Sequence, residues 1–290
     1  MQISRKPKKR RRRIKTAFRR LRNQTTRIPL PPIMRIAHRG ASGKGLAPEN
    51  TLAAIEMAIE IGVDSVEIDI HLTADGHVAV IHDRTVDRTT NGAGPVDQMT
   101  LDELKRLDAG SWFSDEFAGE RVPTLQEVLD LVGWRTLLLI EAKTEEAAES
   151  AVTIIRSMRA QSRVVMQSFL GPAVRTINRL DRRIPTAFLM TGSEAALRRR
   201  RGVVKRVLKL GANALALKYT AVTPDLVQMF LSRAMGFWVY TVDEPDVMSE
   251  MIEMGVGGII TNYPDRLNQV LAVDETMDEV QALITEGDEG

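Results

Sequence analysis

Hydrophobic positions fall into two alternating patterns along this chain. Short aliphatic and β-branched runs at residues 33–37, 63–70, 136–141, 163–167, 185–190, 212–217, 236–241 and 256–260 predict strands. Between them, apolar residues recur with helical spacing at 52–61, 125–132, 147–158, 226–235 and 247–254, which predicts amphipathic helices. Strands that alternate with helices imply an α/β fold with a parallel sheet, and eight strands imply a (β/α)8 TIM barrel. Residues 33–272 have about the length of one such domain. The competing architecture is an open doubly wound sheet, but no Gly-rich dinucleotide turn follows the first strand. Residues 84–115 fit no strand or helix unit. They contain Asn91-Gly92-Ala93-Gly94-Pro95 and a short helical pattern at 101–107, and are expected to form a small insertion after the second strand that caps the barrel mouth.

The stretch from Val63 to Asp83 carries the first chemical signal. Asp75-Gly76 sits between two alternating apolar runs and predicts a two-residue hairpin turn. In that register Ala74 faces His77, Leu72 faces Ala79 and Asp69 faces His82, whereas a bulge would move the pairing by one. Glu67 joins the face of Asp69 because strand side chains repeat every two residues. Acids on a strand ordinarily mark a solvated face. Here the neighbours Val66, Ile68 and Ile70 are apolar and barrel strands are covered on both sides, so Glu67 and Asp69 point to function.

Barrel chemistry gathers at the C-terminal ends of the strands. The first strand ends in Ala37-His38-Arg39-Gly40, and the third in Glu141-Ala142-Lys143, with Glu141 and Lys143 on one face. Separate strand ends therefore deliver His38, Arg39, Glu67, Asp69, His82, Glu141 and Lys143 to one place. Three carboxylates without a thiolate suit a hard divalent cation, Mg²⁺ or Ca²⁺. Two histidines can serve as general acid and general base. Arg39 and Lys143 are fixed positive charges that suit phosphate oxygens. Three carboxylates against a divalent cation and two bases leave about one net positive charge, which favours a singly charged phosphodiester.

Charge is distributed unevenly. Residues 1–27 hold thirteen Lys or Arg and no acid, and the first acid is Glu49; the remainder has 27 bases against 38 acids beneath an overall charge of +2. Pro29, Pro31 and Pro32 interrupt any signal-peptide-like apolar run, and no later stretch approaches a spanning length, so a cytoplasmic protein is expected, peripheral at a membrane surface through residues 1–32. Ile14, Ala17, Phe18 and Leu21 fall at i, i+3, i+4 and i+7 among Lys15, Arg19, Arg20 and Arg22, the pattern of a helix lying on an anionic membrane. A nucleic-acid-binding arm and an Arg-rich transit sequence compete with this, and the interleaved apolar residues favour the membrane. The chain has no cysteine, so disulfides and thiolate metal sites are excluded.

Several motifs occur in order from Arg35 to Leu267: His38-Arg39-Gly40, Ala47-Pro48-Glu49-Asn50-Thr51, Glu67-Ile68-Asp69, His82-Asp83 with Arg88-Thr89-Thr90, Glu141-Ala142-Lys143, and Thr261-Asn262-Tyr263-Pro264-Asp265. Together they resemble the glycerophosphodiester phosphodiesterase family. The resemblance implies a TIM barrel with a small insertion and hydrolysis of glycerophosphodiesters to an alcohol and glycerol 3-phosphate. It implies metal ligation by Glu67, Asp69 and Glu141, an acid/base pair in His38 and His82, phosphate contacts from Arg39 and Lys143, and a supporting acid in Glu49. The chain departs from the pattern at the seventh strand, where Phe237-Trp238-Val239-Tyr240-Thr241-Val242-Asp243 replaces the usual Trp-Thr-Val-Asn ending. Tyr240 and Asp243 there bear on the alcohol or headgroup preference and leave the chemistry intact. Lysophospholipase D-type cleavage of membrane lipids and a non-catalytic phosphoglycerol-binding role are the alternatives, and a glycoside hydrolase would have no use for His38, His82, Arg39 and Lys143 together.

Gln167 and Lys218, at the ends of the fourth and sixth strands, are placed to line the mouth and contact substrate. His71 shares the parity of Glu67 and Asp69 but lies farther out, and His77 is expected in solvent. Asn50 is expected to be a helix N-cap. Trp112 and Phe113 are either a small core of the insertion or an apolar wall for substrate. The bases at 198–201, Lys205, Arg206 and Lys209 suit a solvated face or an anionic partner, and residues 273–290 form an acidic tail with a short helical pattern at 277–284.

Overall fold

The computed structural model describes residues 33–192 and 200–272, so both terminal tails and part of the second basic cluster lie outside the described residues. Strands β1 (Met34–His38), β2 (Ser65–Leu72), β4 (Leu137–Ala142), β5 (Val164–Ser168), β6 (Thr186–Met190), β7 (Ala214–Lys218), β8 (Gly236–Tyr240) and β9 (Gly258–Thr261) pair in parallel, and the short β3 (Val78–Val80) runs antiparallel to β2. The sheet closes because β1 pairs with both β2 and β9. The (β/α)8 barrel expected from the pattern is therefore present. No helix of the described residues is long and apolar enough to cross a membrane.

Parity divides the side chains of each strand between two cores. Ile36, Leu139, Ala187, Leu189, Ala214, Ala216, Trp238 and Ile260 fill the barrel interior. Alternate positions such as Val66, Ile68, Ile70, Leu138 and Ile140 pack outward against the helices. Ala216 pairs with Trp238 in register, and Gly258 leaves room for the indole, which a Cβ there would meet at 2.8 Å. The outer layer comprises α1 (Leu52–Ile61), α3 (Leu125–Val132), α4 (Glu145–Ser157), α5 (Gly171–Leu180), α6 (Arg200–Leu210), α7 (Pro224–Leu231) and α8 (Pro245–Glu253), and residues 264–272 are also helical; α2 (Leu101–Arg106) belongs to the segment between β3 and α3. Thr51, Thr124, Thr144 and Thr223 cap α1, α3, α4 and α7 with their hydroxyls. The N-cap of α1 is thus Thr51 and not Asn50, whose side chain is used elsewhere.

The hairpin of β2 with β3 differs from the expected register by one residue. Leu72 pairs with Val78, His71 with Ala79 and Ile70 with Val80. The turn contains three residues, Ala74 to Gly76, closed by Thr73 N donating to His77 O at 2.9 Å, with Gly76 at φ +83°. Asp75 also accepts from the Thr73 hydroxyl and from Leu101 N, which favours the longer turn. Consequently Ile81, and not His82, lies opposite Asp69, with Ile81 N donating to Asp69 O at 3.0 Å. His82 reaches the site from the chain beyond the ladder.

The chain between β3 and α3 folds over a core of Ala79, Ile81, Val86, Val96, Leu104, Ala109 and Val122. Trp112, Phe113 and Phe117 form an edge-to-face series beside it, and Trp112 remains 40% exposed.

Candidate active site

The registers assemble an acidic centre without help from loops. Asp69 pairs with Glu141, Glu141 with Gln167, and His38 with Glu67, so neighbouring strand ends point these side chains into the same end of the barrel. Glu67, Asp69 and Glu141 each offer an oxygen within 4.8 Å of the others, and all three are buried. Burial and the charges of Asp69 and Glu141 push Glu67 well above the usual carboxylate range. Burial and Asp69 likewise push Glu141 up to about 7. Burial opposes charge on Asp69 too, but Lys143 and Arg39 hold its carboxyl low. The buried Asp69 Oδ1 has no hydrogen-bond partner, although Lys143 Nζ lies 2.7 Å away. Close, buried, under-neutralised oxygens fit a divalent cation, and the absence of a soft donor fits Mg²⁺ or Ca²⁺.

The bases are already engaged with these acids. Lys143 Nζ lies between Asp69 and Glu141, donating a hydrogen bond to Glu141. Arg39 adopts φ +58°, a left-handed conformation uncommon outside glycine. The following Gly40, at φ +82°, approaches α1 so closely that a Cβ would meet Ala54 backbone at 2.6 Å. This turn aims Arg39 N at Glu67 Oε2 (3.1 Å), Nε at Asp69 Oδ2 (3.1 Å) and Nη1 at Glu49 Oε1 (2.7 Å). Asn50, also at φ +58°, donates Nδ2 to Asp69 Oδ2 (3.0 Å) and accepts Asp69 N–H on Oδ1 (3.2 Å).

Each histidine is fixed at Nδ1. His38 Nδ1 lies 2.6 Å from Asn262 Oδ1, and burial with the adjacent Arg39 charge pushes its pKa down to about 4. His82 Nδ1 lies 2.6 Å from Asp83 Oδ1, and burial lowers the ring while Asp69 opposes that shift. Arg88 donates Nε to Asp83 Oδ2 (2.6 Å) and both terminal nitrogens to Glu49 (2.7 and 2.8 Å). His82, Asp83, Arg88, Glu49, Arg39 and Asp69 therefore form one continuous chain of contacts. The Arg88 hydrogen bond, with His82, holds Asp83 down to about 2.

The remaining candidates separate. Gln167 is buried and donates Nε2 to Glu67 Oε1 at 3.3 Å, while its Oε1 has no partner. Tyr240 donates its hydroxyl to Met190 O (2.8 Å) and meets Phe169 edge to face; burial and the Glu141 charge push its phenol above the usual value. Lys218 pairs with Tyr240 in register but is exposed, with no ion pair among the described residues. His71 Nε2 contacts His82 O at 3.0 Å and so braces the backbone behind His82. His77 is exposed beside Asp75. Sequence reasoning missed the parts played by Asn50, Asp83, Arg88, Asn262 and Asp243. Four of these stand inside the quoted motifs, which was the available signal.

Comparison with known proteins adds an independent line. The model of the glycerophosphoryl diester phosphodiesterase family matches residues 38–266. The chain is 39% identical over 241 residues to the glycerophosphodiester phosphodiesterase of Caldanaerobacter subterraneus, covering 80% of this chain and 95% of that protein. It is 32% identical to a glycerophosphodiester phosphodiesterase of Bacillus subtilis, covering 82% and 86% respectively. Among solved structures, an Oleispira antarctica phosphodiesterase in complex with its product sn-glycerol-3-phosphate superposes with a TM-score of 0.76 at 28% identity, covering 84% of this chain and 97% of that one.

Asn50 orients Asp69 through two hydrogen bonds, so its replacement should disturb cation binding before any chemistry. Asn50→Asp removes the Nδ2 donor and adds a like charge beside Asp69. Calorimetric titration with Mg²⁺ or Ca²⁺ should show binding weakened about 10- to 100-fold. Unchanged affinity would remove Asn50 from the support of the site.

Proposed function

The chain belongs to the glycerophosphoryl diester phosphodiesterase family, and on that premise we propose that it hydrolyses glycerophosphodiesters to an alcohol and glycerol 3-phosphate, with a divalent cation held by Glu67, Asp69 and Glu141 and protons moved by His38 and His82. One observation carries the reading. Two imidazoles, each tied at Nδ1 and each with Nε2 left for substrate, approach an acidic centre that is short of positive charge. A bound cation would neutralise phosphate oxygens and the acids together.

The residues of this chain then divide the work. Desolvation and the adjacent Arg39 charge keep the part-buried His38 neutral against the opposing pull of the Asn262 hydrogen bond, so its Nε2 suits removal of a proton from the attacking water or hydroxyl. Asp83 favours a protonated His82, which suits delivery of a proton to the departing alkoxide. With a cation held by the acids, Arg39 and Lys143 would be free to turn part of their charge to the phosphate. Glu49 holds Arg39 and Arg88 in place. Gln167 steadies Glu67, while Tyr240 and the exposed Lys218 stand at the mouth as headgroup contacts.

A second reading has its own support. Phe169 and Leu170 are 39% and 43% exposed immediately after the C-terminal end of β5, on the mouth side of the barrel. Apolar side chains there favour diesters that carry an acyl chain, giving lysophospholipase D-type cleavage by the same residues. For residues 1–32, outside the described structure, the thirteen bases interleaved with apolar residues support attachment to an anionic membrane that presents such lipids.

Three outcomes are expected. Chelation should abolish turnover and Mg²⁺ or Ca²⁺ restore it, with phosphorus NMR on deacylated and lyso-phospholipids identifying glycerol 3-phosphate or the lysolipid product. Full activity in a verified metal-free preparation would sink the cation's role. His38→Ala and His82→Ala should each lose about 10² to 10⁴ in kcat while still binding the cation; a variant within tenfold of wild type removes that histidine from the mechanism. On anionic vesicles at low salt the full chain should co-sediment and a chain beginning at Pro32 should not, with the difference fading at high salt. Equal sedimentation of the two would exclude residues 1–32 as the attachment.

A further inference from the structure

We propose that Asp243 is a positioning residue that sets the tautomer of His38 through the side-chain amide of Asn262. The inference rests on the reading that His38 transfers a proton, but it concerns a residue to which that reading gives no part.

Asp243 follows β8, and Asn262 follows β9 directly. The carboxylate grips Asn262 twice: Asn262 N donates to Asp243 Oδ1 (2.9 Å) and Asn262 Nδ2 donates to Asp243 Oδ2 (2.8 Å). Thr261 Oγ1 also donates to Asp243 Oδ1, at 3.2 Å. An ionised carboxylate only accepts, so the amide nitrogen of Asn262 must face Asp243 and the amide oxygen must face the other way. That oxygen lies 2.6 Å from His38 Nδ1 and 3.0 Å from the Ser42 hydroxyl, whose single proton has a closer acceptor in His38 O at 2.7 Å. An acceptor set against Nδ1 requires the proton there. A neutral imidazole has one N–H, so Nε2 is left with its lone pair.

The alternative orientation differs only by a half-turn of the amide, which has nearly the same shape. In it the Asn262 NH2 group would face Nδ1, the ring proton would move to Nε2, and His38 would present a donor where a proton has to be accepted. Shape cannot choose between the two. Asp243 chooses, because only one orientation gives its Oδ2 a donor. The two histidines are thus fixed by different means: His82 by direct contact with the Asp83 carboxylate, His38 by a carboxylate acting through an amide.

Asp243→Asn tests this with little change of shape. The substituted side chain has one oxygen for three donors; if the Asn262 backbone N–H and the Thr261 hydroxyl keep that oxygen, the new NH2 group faces the Asn262 amide and forces the half-turn. The chain has four histidines, so His38→Gln suffices to assign the His38 ring in long-range proton–nitrogen NMR spectra. The wild type should show the proton on Nδ1. Asp243→Asn should move it to Nε2 and lower kcat at least about tenfold with KM little changed. Combining Asp243→Asn with Asn262→Asp restores an acceptor toward His38, so the double variant should regain the Nδ1–H tautomer and most of kcat. A purely structural role for Asp243 would not give that recovery.

The proposal is overturned if Asp243→Asn keeps the proton on Nδ1, or if a folded double variant carries it on Nε2. Should Asp243→Asn fail to fold, the double variant decides alone. The NMR readout does not depend on turnover. A tautomer that switches as described while His38→Ala remains active would support the relay and reject His38 as the base.

Discussion

Mutual repulsion among Glu67, Asp69 and Glu141 is the constraint on which the rest of the site depends. Two like charges about 4 to 5 Å apart, at an effective dielectric of about 20, repel by about 4 kcal/mol. Three such pairs approach the whole stability of an ordinary domain, about 5 to 15 kcal/mol. The fold cannot bury three ionised carboxylates within 4.8 Å unless positive charge joins them or protons remain bound. Both remedies are visible. Lys143 and Arg39 sit against Asp69, and Glu67 and Glu141 hold their protons more tightly than usual. A divalent cation held by the three acids would relieve the same repulsion more completely, and would free Arg39 and Lys143 to face an anionic substrate.

Rigid backbone keeps the acids from separating. They stand on adjacent paired strands, so their spacing is set by the ladder and not by side-chain preference. The flanking loops add the constraints that strands cannot. The left-handed backbone at Arg39 and Asn50 places one N–H on Glu67 and a two-way amide contact on Asp69. Such conformations cost about 1 to 3 kcal/mol each. Both are linked by Asn50 N donating to Arg39 O at 2.9 Å, so one local fold serves both acids.

The fold and the acidic centre were legible because both follow from short periods. Alternation along β2 and β4 places Glu67, Asp69 and Glu141 in the barrel on the same grounds that place Leu139 there. The hairpin register was less legible. Asp-Gly is compatible with turns of two or three residues, and the choice was made by Thr73 and by contacts between Asp75 and Leu101, 26 residues away. Asn50 was misassigned for a similar reason. An Asn before a helix resembles a cap, but Thr51 takes that role and releases Asn50 to a partner 19 residues on. The His38 contact with Asn262 spans 224 residues and exists only because the barrel closes β1 onto β9. No local pattern encodes it.

Closure also explains how the segment between β3 and α3 becomes part of the site. Arg88 emerges from that segment and spans from Asp83, beside His82, to Glu49 on the loop after β1. An exposed ion pair would be worth little, but Arg88 makes three charge-assisted hydrogen bonds to two acids that are themselves engaged by His82 and Arg39. Its position depends on the small apolar core that includes Ile81 and Val86. Packing of that core and placement of His82 are therefore coupled, since Ile81 precedes His82 directly and Val86 lies two residues before Arg88. A change of shape at Val86 is expected to be felt at the imidazole, although neither residue touches the other's chemistry. The segment forms a second wall beside His82, and its hydrophobic core bears on the position of that ring through the contacts of Arg88 with Asp83.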